Sequence, residues 1–106
     1  MTRADRQIAQ AFKRRLVGEG VPVREVRVYG SRARGTHHRD SDLDVFLVLD
    51  RVDRAIERLI EEAAWAVGFA ADRVITTVEV TEDQMLNGPL RASPFLRAVL
   101  AEGVVV

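Results

Sequence analysis

The sequence predicts a mixed α/β (α+β) architecture, a small mixed β-sheet flanked by helices, on three observations. Amphipathic helical stretches alternate with short runs rich in β-branched residues. The polar connection between the first two runs, residues 32–41, is too short for a helical crossover, so that pair is expected to be antiparallel. A full helix separates the second run from the third, which predicts a right-handed parallel crossover.

Residues 4–17 place Ile8, Ala9, Phe12 and Leu16 on one helical face, and Gly18 and Gly20 supply a stop. Pro22 then starts an extended run, Val23–Tyr29, which Gly30-Ser31 interrupts. The string RARGTHHRDS at 32–41 is polar and is expected at the surface. Leu43–Leu49 is almost continuously apolar, the pattern of a strand buried on both faces. Asp50 and Asp53 carry an N-cap signal for the next helix. Its apolar stripe is Ile56, Leu59, Ile60, Ala63, Ala64 and Val67, and Gly68 suits its C-terminal stop. Residues 74–80 form the third strand. Thr81-Glu82-Asp83-Gln84 is a capping box for a short helical turn that Asn87-Gly88-Pro89 breaks. Ser93-Pro94 opens a final helix, Gly103 ends it, and residues 104–106 supply a terminal edge strand whose apolar end could pair with another chain.

At 106 residues the chain has the length of one domain, 1–106, with one hydrophobic core. Its 47% apolar and 30% charged residues are those of an ordinary globular protein. The formal net charge is zero, so a general electrostatic grip on nucleic acid or an anionic membrane is disfavoured. Lys13 is the only lysine, and there is no cysteine, which excludes disulfides, thiolate catalysis and Cys-ligated zinc. The polar start MTRADRQ is unlike a signal peptide, and no run approaches the ~20 apolar residues of a membrane span. A cytoplasmic location is the expectation.

The chemistry concentrates around two short strings. Asp42 and Asp44 are two apart at the start of a strand, so their carboxylates project from the same side. Two crowded carboxylates repel unless a cation lies between them, and Mg²⁺ is the hard cation that one or two carboxylates plus substrate phosphates hold. Gly30-Ser31 ends the preceding strand, which an antiparallel hairpin brings beside Asp42 and Asp44. Gly30 permits close backbone approach, Ser31 offers a hydroxyl, and a helical turn over 31–35 would aim backbone N–H groups at a phosphate. A phosphate cradle beside a carboxylate pair suits metal-assisted nucleotidyl transfer.

Gly30-Ser31, ten intervening residues, then Asp42-x-Asp44 resembles the signature of the DNA polymerase β-like nucleotidyltransferase superfamily. The fuller string GSRARGTHHRDSDLDVFLVL is similar to the minimal nucleotidyltransferase (MNT) family. The resemblance implies a polymerase β palm-like fold, Mg²⁺ bound by Asp42 and Asp44, and NTP phosphates bound by Gly30 and Ser31. It implies transfer of an NMP, commonly AMP from ATP, to an acceptor hydroxyl with release of pyrophosphate. Standalone minimal members resemble the antitoxin half of two-gene modules, and their HEPN-domain toxin partner is adenylylated on a tyrosine.

One departure stands out. The superfamily commonly carries a third carboxylate on the strand after the crossover helix. If that strand runs parallel to the second, Glu79 lies near its far end, and Thr76 occupies the expected position. Asp72 precedes the strand and reaches the site only if the strand begins earlier. Arg32, Arg34 and Arg39 are candidates for triphosphate or partner contacts, or form a solvated basic loop; His37 and His38 lie in the same loop without zinc-site spacing. Trp65 and Phe69 belong to the core or to a partner surface, and Phe46 and Val48 to the core beneath the carboxylates. Beside the transferase reading stand a nucleotide-binding antitoxin module that acts by occlusion and, with less room in so short a chain, a small-molecule (antibiotic) nucleotidyltransferase. Nucleic acid is disfavoured as a partner for want of a basic track.

Overall fold

Helix α1 (Arg3–Gly18) starts at a reciprocal cap: the Thr2 hydroxyl accepts from the Asp5 N–H and the Asp5 carboxylate accepts from the Thr2 N–H, each at 3.0 Å. The computed structural model describes residues 1–38 and 41–106. Ala9, Phe12 and Leu16 are fully buried along α1, and Ile8 packs at the margin of that stripe. The helix runs through Gly18, and Gly20, at φ +82°, turns the chain towards the first strand.

Strand β1 (Val23–Tyr29) pairs antiparallel with β2 (Leu43–Leu49), and β2 pairs parallel with β3 (Ile75–Thr81). A short β4 (Val104–Val105) closes antiparallel on the other side of β1, so the order across the sheet is β3-β2-β1-β4. Between strands lie a one-turn helix α2 (Gly30–Arg34) and the crossover helix α3 (Arg54–Ala70). Helix α4 (Glu82–Asn87), a 3-10 turn at Pro89–Ala92 and α5 (Pro94–Glu102) follow β3. The predicted caps form: Asp53 accepts from the Ile56 N–H at 2.8 Å, Thr81 and Gln84 make a reciprocal box, and Ser93 accepts from the Leu96 N–H. Asp50 instead pairs with Arg24.

The two faces of the sheet hold two cores. Leu43, Val45, Leu47 and Leu49 of β2, with Val26 and Val28 of β1, face α1 and α3. Phe46 and Val48 turn to the opposite face, where Val80 and the α5 residues Leu96 and Val99 cover them. The alternation along β2 follows from strand geometry, and burial on both faces explains its unbroken apolar run.

Two expectations change. Gly68 does not stop α3; the helix continues to Ala70, and the chain leaves it through Asp72 at φ +55°. Gly68 is needed for packing, because a Cβ there would sit 2.5 Å from the Arg73 carbonyl oxygen. The loop 32–41 is not uniformly at the surface, since Arg32 is 5% exposed. The C-terminal segment forms the expected edge strand: β4 pairs with β1, the Val106 N–H donates to the Val26 carbonyl at 3.0 Å, and Lys13 Nζ donates to the Val106 carbonyl at 2.9 Å. Trp65 and Phe69 are not core; their rings stack at 5.1 Å on the outside of α3. Among the described residues no helix is long and apolar enough to cross a membrane.

Candidate functional site

The end of β1 and the beginnings of β2 and β3 share one edge of the sheet. In the register, Tyr29 opposes Asp44 on one side and Thr76 neighbours it on the other. Asp44 is therefore the centre of a row that runs across three strands. Thr76 Oγ1 donates to Asp44 Oδ1 at 2.5 Å, which fixes the carboxylate.

Gly30 follows Tyr29 directly and turns the chain from β1 into α2 at φ +73°, a left-handed conformation that favours glycine. A Cβ on Gly30 would collide with Asp44 Oδ2. The backbone at Gly30 thus lies against one carboxylate oxygen while Thr76 holds the other. Ser31, the second residue of α2, is half-buried; its carbonyl accepts the N–H groups of Gly35 and Thr36, which closes the turn. No side chain caps the start of α2, so its first amides keep their capacity for an outside acceptor. Asp42 sits one residue outside the β2 ladder and is exposed.

The floor is aromatic. Tyr29 meets Phe95 of α5 edge to face at 5.5 Å, and Phe46 lies 6.3 Å from the same ring. Burial, with a smaller contribution from the Asp44 carboxylate, pushes the Tyr29 phenol above its ordinary value, so it stays protonated at neutral pH.

Glu79 is kept from this site twice over. It pairs with Leu47 rather than Asp44, three residues along the strand, and that odd offset turns it to the α3 face. Burial raises its carboxyl pKa, the Thr77 hydroxyl and a backbone hydrogen bond oppose this, and Glu57 and Glu61 of α3 add to it. Asp72 lies in the left-handed turn before β3, outside the strand whose Thr76 is the register neighbour of Asp44. Among the described residues no group of three or more His, Asp or Glu side chains gathers as a metal cluster, so His37 and His38 stay outside any such set. Arg34 is exposed and pairs with Glu102 at 3.5 Å. Arg39 lies outside the described residues.

Sequence reasoning missed one feature. Arg32 turns inward: its Nε and Nη2 donate to the Ser41 carbonyl at 3.3 and 3.1 Å, and its Nη1 lies 3.5 Å from Asp5 Oδ1. Arg73 Nη2 approaches the same Asp5 oxygen at 3.0 Å, as an ion pair without hydrogen-bond alignment. Burial raises the Asp5 carboxyl pKa, but the Thr2 amide, Arg73, the Thr2 hydroxyl and Arg32 together outweigh it and hold Asp5 below its ordinary value. The one signal in the sequence was the T-x-x-D start of α1, which predicts a cap and not a buried ion cluster.

A strand–glycine turn–strand carrying a carboxylate between two neighbouring strands defines a nucleotidyltransferase-like architecture. The chain belongs to the nucleotidyltransferase domain family, whose model matches residues 5–99. Three solved structures share the fold. One, a toxin–antitoxin with AMP-PNP, aligns at TM-score 0.58 and 21% identity over 89% of this chain and 68% of that one. Two mutant forms of the toxin–antitoxin MntA–HpeT align at TM-scores 0.60 and 0.56. Their identities are 18% and 22%, over 95% and 86% of this chain and 70% and 65% of theirs. The chain thus spans about two thirds of each. No curated protein sequence matches it.

Proposed function

We propose that this chain is a Mg²⁺-dependent nucleotidyltransferase that moves an NMP, AMP from ATP, to a hydroxyl of a partner protein. In this reading it is the antitoxin of a toxin–antitoxin pair, and the acceptor is a tyrosine of a HEPN-type toxin. The observation that carries the reading is the approach of Gly30 to Asp44 Oδ2, which puts a left-handed backbone turn against a carboxylate oxygen. Family membership supports the transferase, and the neighbours solved as toxin–antitoxin structures, one with AMP-PNP, support the partner and the nucleotide.

The residues fit the metal. Asp44 keeps Oδ2 on the side of the phosphate turn while Oδ1 is occupied by Thr76, and Asp42 is solvent-accessible beside it. Hard oxygen donors in this number suit Mg²⁺, which takes its remaining ligands from phosphates and water. When bound, it would supply charge stabilisation at the transferring phosphoryl group. The chain's own part is to hold: Gly30 and Ser31 seat the phosphates, and Thr76 orients Asp44. In the transfer, the acceptor oxygen bonds to the α-phosphorus, the bond to pyrophosphate breaks, and the hydroxyl proton passes to solvent water.

Thr76 in the register position beside Asp44 favours a second reading, in which the domain binds nucleotide and neutralises its partner by occlusion. One experiment separates them. Co-purified with its partner and given ATP labelled on the α-phosphate, the wild-type chain labels the partner, and Asp42→Asn/Asp44→Asn does not. Equal labelling by the double variant contradicts the assignment. Survival of toxin-expressing cells with the double variant identifies occlusion.

A further inference from the structure

We infer that Asp5, on the first helix and far in sequence from the candidate site, is the positioning residue for both strand starts that build it. The inference concerns how Asp42 and Asp44 are held, and for their purpose it rests on the metal reading above.

Asp5 is fully buried, and its two oxygens serve different ends. Oδ2 accepts the Thr2 N–H and belongs to the helix cap. Oδ1 faces two guanidinium groups, Arg32 from α2 and Arg73 from the turn before β3. Arg32 then spends two donors on the carbonyl of Ser41, the residue immediately before Asp42. Arg73 immediately precedes Val74, whose carbonyl accepts the Leu43 N–H at 2.9 Å. One carboxylate therefore connects the turn bearing Gly30-Ser31, the start of β2 and the start of β3.

The chemistry explains the choice of residue types. A peptide carbonyl taking two donors from one planar fork is fixed in direction as well as distance, which one ammonium cannot reproduce. A buried arginine needs anionic company, and the buried Asp5 lies within ion-pair distance of Arg32 while sharing its charge with Arg73. The cluster lies at the strand starts, so loosening it frees the ends of β2 and β3 and leaves mid-strand pairing intact.

The test uses Asp5→Asn, which keeps an oxygen for the Thr2 cap, and Arg32→Lys, which keeps the charge but loses the fork. Amide hydrogen exchange is compared at Leu43, beside the cluster, and at Leu47, in the middle of β2. The expected result is an acceleration at Leu43 at least tenfold greater than at Leu47 in both variants. A tenfold rise in the Mn²⁺ concentration that half-saturates AMP-PNP binding should accompany it. A purely structural role would accelerate both amides together. Equal acceleration, or none, overturns the inference. If Leu43 responds selectively but wild type and Asp42→Asn take up Mn²⁺ and AMP-PNP alike, the lock stands and the metal role of Asp42 falls.

Discussion

Gly30 meets two demands at once. Its φ of +73° disfavours any side chain, and the space a Cβ would fill belongs to the Asp44 carboxylate. Gly30→Ala should lower stability by about 1–3 kcal/mol in urea unfolding, since both strain and displacement of Asp44 oppose it. At this scale much of the candidate site's geometry was legible. Strand direction alone put Thr76, not Glu79, beside Asp44, and the register agrees. The inward turn of Arg32 was not legible, because a run of arginines in a polar loop says nothing about which one meets a buried anion. Its partner, Asp5, lies on another helix, and only folding brings them together.

The helices and strands were readable where local rules decide them and unreadable where packing does. Caps at Asp53, Thr81 and Ser93 follow from one hydroxyl or carboxylate and an amide three residues on. Gly68 looked like a stop by the same local logic, yet it is a close-approach residue inside α3. Gly68→Ala gains about 1 kcal/mol in helix propensity but must displace the Arg73 carbonyl, a backbone atom that cannot swing away. The expected outcome is a lower urea midpoint with an unchanged m value. Glu79 gives β3 a pH signature. Its folded pKa is raised by burial and by Glu57 and Glu61, so the folded state holds the proton longer than the unfolded chain. Stability therefore falls as pH rises through the ordinary glutamate range, and the cost persists above it. Glu79→Gln should raise the urea midpoint at pH 7, and the gain should vanish below about pH 4, where both states are protonated.

Across the whole molecule, the order β3-β2-β1-β4 makes the site possible. An antiparallel β1–β2 pair and a parallel β2–β3 pair bring one strand end and two strand starts to the same edge. The short 32–41 connection and the intervening helix predicted the two strand directions, and the unbroken apolar run of β2 predicted its burial on both faces. The sequence pattern did not specify that β4 returns to β1 within the chain, since two valines carry no register of their own. Nor did it separate core from surface for Trp65 and Phe69, whose helical spacing suits either. The proposed function asks this edge to hold Mg²⁺ and a nucleoside triphosphate between Gly30-Ser31 and the Asp42/Asp44 pair. The most direct test is calorimetric titration of the chain with AMP-PNP, with Mg²⁺ and with EDTA, for wild type, Asp42→Asn and Asp44→Asn. Binding should require the cation and weaken at least tenfold in either variant while the melting temperature holds. Binding of equal strength in EDTA, or undiminished in both variants, would contradict the proposed function.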